Sequence, residues 1–170
     1  MIVYFLQLYS RHVLPVADTF AYCLMKNHFH LLVRIKTSRV SETREVSITS
    51  REASQAFSNL LNAYAKAINK ADGRTGSLFE ERFGRIEVTS DAYFCHLISY
   101  IHFNPQKHGF VEDFRQWPWS SFDALRSPAA TRLTRAQTLE WFGGIAEFER
   151  FHSVQVDEAQ IRSLIEDDFA

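Results

Sequence analysis

The chain has 170 residues, which fits one domain, and its 46% hydrophobic and 23% charged residues exclude a largely disordered protein. A formal net charge of −1 excludes an overall basic surface, so a nucleic-acid partner would need a local basic patch. No apolar run reaches membrane-spanning length, and residues 1–9 lack the features of a signal peptide.

The first part of the chain predicts a helix, a β-hairpin and a loop. These elements span residues 2–12, 19–25, 28–35 and 37–50, with Lys26-Asn27 as the turn of the hairpin. Val3, Leu6 and Val13 mark the predicted buried side of the helix, and Pro15 interrupts it. The polar composition of residues 37–50 indicates irregular structure.

The rest of the chain predicts two long helices with a short strand between them. These are helix 52–70, loop 76–84, strand 85–89, helix 92–103, an irregular stretch 113–121 and two short helices within 134–169. Helical spacing of apolar residues defines both stripes: Phe57, Leu60, Leu61, Tyr64 and Ile68, then Phe94, Leu97, Ile98 and Ile101. Ser90 or Asp91 would cap the second helix, and Asp72-Gly73 and Asn104-Pro105 would end the two helices. The element order is that of a ferredoxin-like α+β fold lacking its first strand.

Two histidines stand two residues apart at the start of the second predicted strand. Side chains alternate along a strand, so His28 and His30 share a face with Leu32 and Arg34, while Phe29 faces the core. Two imidazoles at this spacing can hold one divalent cation. Two surface histidines on a half-exposed strand are the alternative, because His-x-His alone is a weak motif.

Tyr100 and Asn104 stand four residues apart at the end of a predicted helix, one turn apart on the same face. A phenol and an amide can thus point from this helix toward a facing sheet. The alternative is a tyrosine at the core edge and an ordinary Asn-Pro helix terminator.

Together the two pairs predict a phosphoryl-transfer site. A cation held by the histidines would polarise a scissile phosphate and offset the charge that develops during attack. A tyrosine phenol, with an ordinary pKa near ~10, needs such help to react as a phenolate.

Four blocks follow one another along the chain. They are Tyr22–Leu32, which contains His28-Phe29-His30; Arg74–Phe79 with Arg82-Phe83; Tyr100–Pro105 with Gly109-Phe110-Val111; and Trp117–Ser121. In this order and with these separations they resemble the blocks of the REP-associated tyrosine transposases, a group within the single-tyrosine HUH transposases. The resemblance covers about residues 2–125.

The resemblance implies roles for individual residues. His28 and His30 would be metal ligands, Asn104 the third ligand, Tyr100 the nucleophile, and magnesium or manganese the metal. Family members cut single-stranded DNA beside hairpins, leave a 5′-phosphotyrosine and a free 3′-hydroxyl, and rejoin strands without ATP. The implied partner is single-stranded DNA with a REP-like palindrome, and the resemblance therefore implies a nucleoid-associated protein. Two widely separated cysteines in apolar stretches fit a cytoplasmic location.

Three arginines and two tryptophans are further candidates for DNA contact. Arg74, Arg82 and Arg85 can contact phosphates, with surface charges around a loop as the alternative. Trp117 and Trp119 can stack on bases, although burial against the domain is the simpler prediction for a Trp-Pro-Trp segment.

The chain departs from the family pattern in three places. Met1 falls within the first helix, whereas family members begin with a strand; a misassigned start, a decaying gene or another segment filling the gap are the open explanations. Lys26 stands where the family usually has proline. Residues 126–170 form an acidic, helical extension beyond the predicted catalytic domain 1–125.

The sequence favours an active single-strand DNA endonuclease and strand-transferase. A transposase-derived protein that binds structured DNA without cutting it is the alternative, and an unrelated metallohydrolase fits poorly because no carboxylate-rich metal set is evident. A monomer and a homodimer are both compatible with the sequence.

Overall fold

The computed structural model describes residues 1–41, 44–80, 84–88 and 91–153, and these have the predicted α+β architecture. The elements are helix α1 (Ile2–His12), strands β1 (Ala17–Leu24), β2 (Phe29–Ile35), β3 (Ser38–Ser41) and β4 (Arg44–Ser47), and helices α2 (Ser50–Ala71), α3 (Asp91–Lys107), α4 (Phe122–Arg126), α5 (Arg135–Phe142) and α6 (Ile145–Ser153). The chain forms two compact units, one of Met1–Asp18 and Arg34–Phe83, the other of Thr19–Val33 and Gly84–Ala170. The boundary near residue 125 stays a prediction.

The first unit is built on helix α1 packed against helix α2. Phe5 of α1 meets Tyr64 of α2 edge to face, with 5.2 Å between ring centroids. The predicted α1 helix is confirmed, and its predicted buried side only in part. Val13 is fully buried and Leu6 half-buried, but Val3 is 54% exposed, and the buried residues within the helix are Phe5, Leu8 and Tyr9. Spacings of three and four favour this second set equally well, so the apolar pattern alone could not choose between the two sides.

Helix α2 matches its prediction closely. It starts two residues earlier than predicted because Thr49 and Glu52 form a capping box, in which Thr49 Oγ1 accepts from Glu52 N at 3.2 Å and Thr49 N donates to Glu52 Oε2 at 2.8 Å. It ends at Asp72, followed by Gly73 at φ +61°, a left-handed conformation that favours glycine.

The predicted loop at residues 37–50 is wrong, because this stretch contains a second hairpin. Strands β3 and β4 pair antiparallel, with Ser38 opposite Ser47 and Ser41 opposite Arg44. Neither strand carries an alternating apolar pattern, and the pairing rests on backbone hydrogen bonds that composition does not reveal.

The second unit is organised around the β1–β2 hairpin, which closes with Met25 N donating to His28 O at 2.9 Å. The Trp-Pro-Trp segment runs along β1: Leu24 N donates to Trp119 O and Ser121 N to Tyr22 O, both at 2.9 Å, and Cys23 forms an isolated bridge with Ser120. The stretch 113–121, predicted to be irregular, is mostly so, with a 3-10 turn at Phe114–Gln116.

Helix α3 passes through the core of this unit. Phe94, Ile98 and Ile101 are buried as predicted. Its predicted end at Asn104-Pro105 is wrong, because the helix continues to Lys107 and the next turn forms through His108 N donating to Asn104 O at 3.0 Å. Proline removes one donor and disfavours a helix, but tertiary packing overrides this local preference.

The remaining predictions in this unit have mixed outcomes. Residues 84–88 form no strand, so the predicted strand 85–89 is wrong for residues 85–88. The segment is largely exposed, with Val88 at 37%, and it belongs to neither sheet in the described part of the chain. Of the two predicted caps, Ser90 and the side chain of Asp91 both lie outside the part of the chain that the structure describes. Two helices after residue 134 are confirmed as α5 and α6, and α4 was not predicted.

The ferredoxin-like arrangement stays a prediction. Each of the two sheets in the described part of the chain has two strands. Across the same residues, no helix combines the length and the apolar character needed to cross a bilayer.

Candidate active site

The two histidines of the hairpin lie side by side. His28 directly precedes β2 and His30 is its second residue, and their ring centroids are 5.2 Å apart. His28 Nδ1 lies 2.9 Å from Asn27 Oδ1, an oxygen that can only accept, so Nδ1 carries the proton of the neutral ring. The lone pair of His28 is therefore on Nε2, as in many metal sites where a neighbouring oxygen orients the ligand.

Helix α3 brings Tyr100 and Asn104 to the same place. The rings of Tyr100 and His30 are 5.9 Å apart between centroids. Asn104 is fully buried, and its Nδ2 donates to Tyr100 O at 2.9 Å. A carbonyl oxygen only accepts, so this hydrogen bond fixes the amide orientation and turns Oδ1 away from the backbone.

Among the residues that the structure describes, His30 Nε2 and Asn104 Oδ1 are two buried polar atoms at this site without a hydrogen-bond partner. Asn104 lies close enough to His30 to raise the pKa of its imidazole. Buried polar atoms are satisfied in most proteins, so a nitrogen and an oxygen left open beside each other indicate a ligand site.

The electrostatics of the site keep the imidazoles neutral. Burial lowers the pKa of His30 to about 4, and the charges of His28, His108 and Lys107 act in the same direction. Burial also lowers the pKa of His28, with a further contribution from His108. Neutral imidazole is the form that binds metals, so at pH 7 the ligand atoms need not lose a proton.

These atoms suit a divalent cation. His28 and His30 would supply nitrogen, and Asn104 an amide oxygen of the kind that manganese and magnesium accept. Among the residues that the structure describes, no three His, Cys, Asp or Glu side chains gather into a metal site, and the amide of Asn104 is the neighbouring oxygen donor.

Two basic residues at the site were missed by sequence reasoning. Lys107 Nζ lies 5.2 Å from the centroid of the Tyr100 ring, and the rings of His108 and His28 are 4.9 Å apart. Because α3 continues through Pro105, residues 100, 104, 107 and 108 follow helical spacing on one side. With the helix predicted to end at Asn104, Lys107 and His108 are not expected on the same side as Tyr100.

Two of the predicted DNA-contacting arginines belong to different units: Arg74 is exposed just after α2 in the first, and Arg85 is exposed within residues 84–88 of the second. Arg82 lies outside the described residues. Their role in DNA contact stays a prediction.

A buried hydrogen-bond chain anchors α3. Its His102, two residues from both Tyr100 and Asn104, is fully buried, with Nδ1 2.9 Å from His152 Nε2 and Nε2 2.7 Å from Ser121 Oγ. His152 Nδ1 lies 2.8 Å from Phe148 O, which can only accept. While both rings are neutral, Nδ1 of each therefore carries the proton, and Ser121 donates to His102. This series of hydrogen bonds links α3 to α6.

Comparison with known proteins gives two curated relatives. The chain is 26% identical over 105 residues to a protein of Haemophilus influenzae provisionally named REP-associated tyrosine transposase, a match covering 62% of this chain and 58% of the relative. It is 24% identical over 130 residues to the REP-associated tyrosine transposase of Escherichia coli K12, covering 70% and 73% of the two chains. No protein-family model matches, and no solved structure matches significantly.

Proposed function

The chain is a homologue of the REP-associated tyrosine transposases, and from this premise we propose that it cuts and rejoins single-stranded DNA beside hairpins through a 5′-phosphotyrosine at Tyr100. The observation that carries the proposal is the meeting of three predicted groups at one place: the His30 ring 5.9 Å from the Tyr100 ring, with Asn104 beside both. Neither the alternation along β2 nor the spacing on α3 requires this meeting, so it supports a common role.

In the proposed reaction the phenol oxygen of Tyr100 attacks the scissile phosphorus and loses its proton to solvent. The new bond joins tyrosine oxygen to phosphorus, the bond to the 3′-oxygen breaks, and that oxygen leaves as a hydroxyl after taking up a proton. The reverse attack by a 3′-hydroxyl rejoins a strand, and because the number of phosphoester bonds is unchanged, no ATP is needed.

Three groups would assist the attack. A magnesium or manganese ion held by His28, His30 and Asn104 would polarise the phosphate when bound. Lys107, whose Nζ lies 5.2 Å from the centroid of the Tyr100 ring, would attract the anionic strand. Asn104 would also fix the backbone of Tyr100 through its 2.9 Å hydrogen bond.

The test is formation of a covalent protein–DNA adduct. We expect a labelled single-stranded hairpin library incubated with manganese to give a slowly migrating band on a denaturing gel. Tyr100→Phe should abolish the band, because phenylalanine lacks the attacking oxygen, and Tyr93→Phe, seven residues earlier on the same helix, is the matched control. Hairpin binding by the wild type without any adduct would instead support the alternative function, a DNA-binding protein that no longer cuts.

A further inference from the structure

A series of aromatic rings extends from the candidate nucleophile across the second unit. After the Tyr100–His30–His28 contacts, the series passes to His108 at 4.9 Å, from His108 to Phe110 at 6.3 Å, and from Phe110 to Trp117 at 5.7 Å between centroids. Phe110 and Trp117 are stacked, with 28° between their planes. We call Phe110, Trp117 and Lys26 the aromatic extension; none of the three belongs to the proposed chemistry.

The two rings of the aromatic extension are fixed by contacts with the rest of the unit and are only partly buried. Trp117 Nε1 donates to Leu24 O at 3.0 Å, which fixes the indole against β1. Phe110 and Trp117 both pack against the hydrophobic core yet remain half-buried, and His108 is exposed. Fixed rings that retain accessible surface can accept a flat partner with little loss of side-chain entropy.

Positive charge accompanies these rings. Lys26 is exposed, with Nζ 5.9 Å from the Phe110 centroid, and Lys107 lies over Tyr100 at the other end of the series. A family member with proline at the Lys26 position would lack the first of these cations. In a chain with a net charge of −1, this basic and aromatic combination is a local feature.

Rings interleaved with cations are the arrangement that binds single-stranded nucleic acid, since bases stack on aromatic faces while ammonium groups contact phosphates. We propose that the aromatic extension is the subsite for the unpaired nucleotides next to the scissile phosphate, which stack on Phe110 and Trp117 while Lys26 contacts the backbone. This inference rests on the proposed function, because it takes the Tyr100 site as the position of the cut. It adds which residues hold the strand and by what chemistry.

The experiment measures equilibrium binding in the Tyr100→Phe background, where no covalent step interferes. Two probes are compared, a DNA hairpin with a short single-stranded flank and the same hairpin with a blunt end. We expect Phe110→Leu to weaken binding of the flanked hairpin roughly 5- to 100-fold, the range that loss of base stacking gives, and to change binding of the blunt hairpin less than about twofold.

A second variant guards against a folding defect in Phe110→Leu. Lys26→Ala, at an exposed position, should weaken binding of the flanked hairpin and reduce the slope of log affinity against log salt by about 0.7. Tyr4→Leu, an aromatic residue 39% exposed on α1, and Lys70→Ala, exposed at the end of α2, are the matched controls and should change neither probe.

The outcomes separate the two proposals. Suppose that the wild type forms an adduct, but Phe110→Leu and Lys26→Ala weaken binding of both probes equally or weaken binding of neither. This result would overturn the subsite and leave the proposed function standing. Absence of adduct together with retained flank-dependent binding would support the subsite while contradicting the proposed reaction. Absence of all binding to either probe would contradict both.

Discussion

Within the described part of the chain, His30 Nε2 and Asn104 Oδ1 are buried polar atoms without a hydrogen-bond partner. Such atoms cost stability, because their hydration is lost without a replacement hydrogen bond. A ligand that fills the gap returns this free energy on binding. These two buried polar atoms therefore indicate a ligand-binding site.

The first prediction concerns Asn104→Leu. Without metal, we expect the free energy of unfolding to change by less than about 1 kcal/mol, because losing the hydrogen bond to Tyr100 O is offset by removing the unsatisfied Oδ1. The rise in melting temperature that manganese causes in the wild type should disappear. Thermal unfolding with and without manganese checks both parts, and an unchanged manganese effect would show that Asn104 is not a ligand.

Much of this site follows from sequence at the level of single residues. Alternation along a strand placed His28 and His30 together, and helical spacing placed Tyr100 near Asn104. The contacts of Lys107 and His108 could not be predicted, because they depend on the helix continuing through Pro105 against its local preference. The orientation of the Asn104 amide depends on one backbone oxygen that only the folded chain presents.

At the level of elements, α3 and α6 depend on each other through buried histidines. Burial lowers the pKa of His102 well below its ordinary range, and the charge of His152 acts in the same direction. Burial also lowers the pKa of His152 to about 4; the hydrogen bond to Phe148 O acts in the opposite direction, and the charge of Arg115 in the same one. Both rings are neutral in the fold and would be charged below ~6.5 in the unfolded chain. Stability from this pair is thus full above ~6.5 and is lost as the pH falls toward 4.

His152→Gln tests this dependence. The amide oxygen can still accept from His102 Nδ1, but the side chain no longer titrates, so we expect about 1–2 kcal/mol lower stability at pH 7. Between pH 6.5 and 4.5 the variant should lose less stability than the wild type, which forfeits about 2 kcal/mol from His152 alone. Denaturant unfolding at several pH values measures this difference. Parallel curves for the two proteins would contradict the neutral state of His152.

Elements with a clear apolar period were predictable, and those defined by backbone pairing were not. Helices α1, α2 and α3 and the first hairpin carry strong local patterns. The β3–β4 hairpin has no apolar face in its sequence, and the segment 84–88 alternates like a strand although it belongs to neither sheet in the described part of the chain. Strand formation depends on a partner that local sequence does not specify.

At the level of the whole molecule, a net charge of −1 does not exclude cations near the candidate nucleophile. Lys107 and Lys26 both lie in the unit that contains Tyr100. A DNA partner is consistent with the two transposase relatives, whose own lengths are matched over 58% and 73%. A local patch predicts binding that weakens steeply with salt while the protein as a whole shows little affinity for duplex DNA.

Identification of the residue that carries DNA tests the central claim most directly. The adduct formed with manganese would be trimmed by nuclease, digested with protease and analysed by mass spectrometry. We expect one nucleotide linked through its 5′-phosphate to the peptide containing Tyr100. A nucleotide linked to any of the other tyrosines (Tyr4, Tyr9, Tyr22, Tyr64 or Tyr93), or an adduct that persists in Tyr100→Phe, would contradict it.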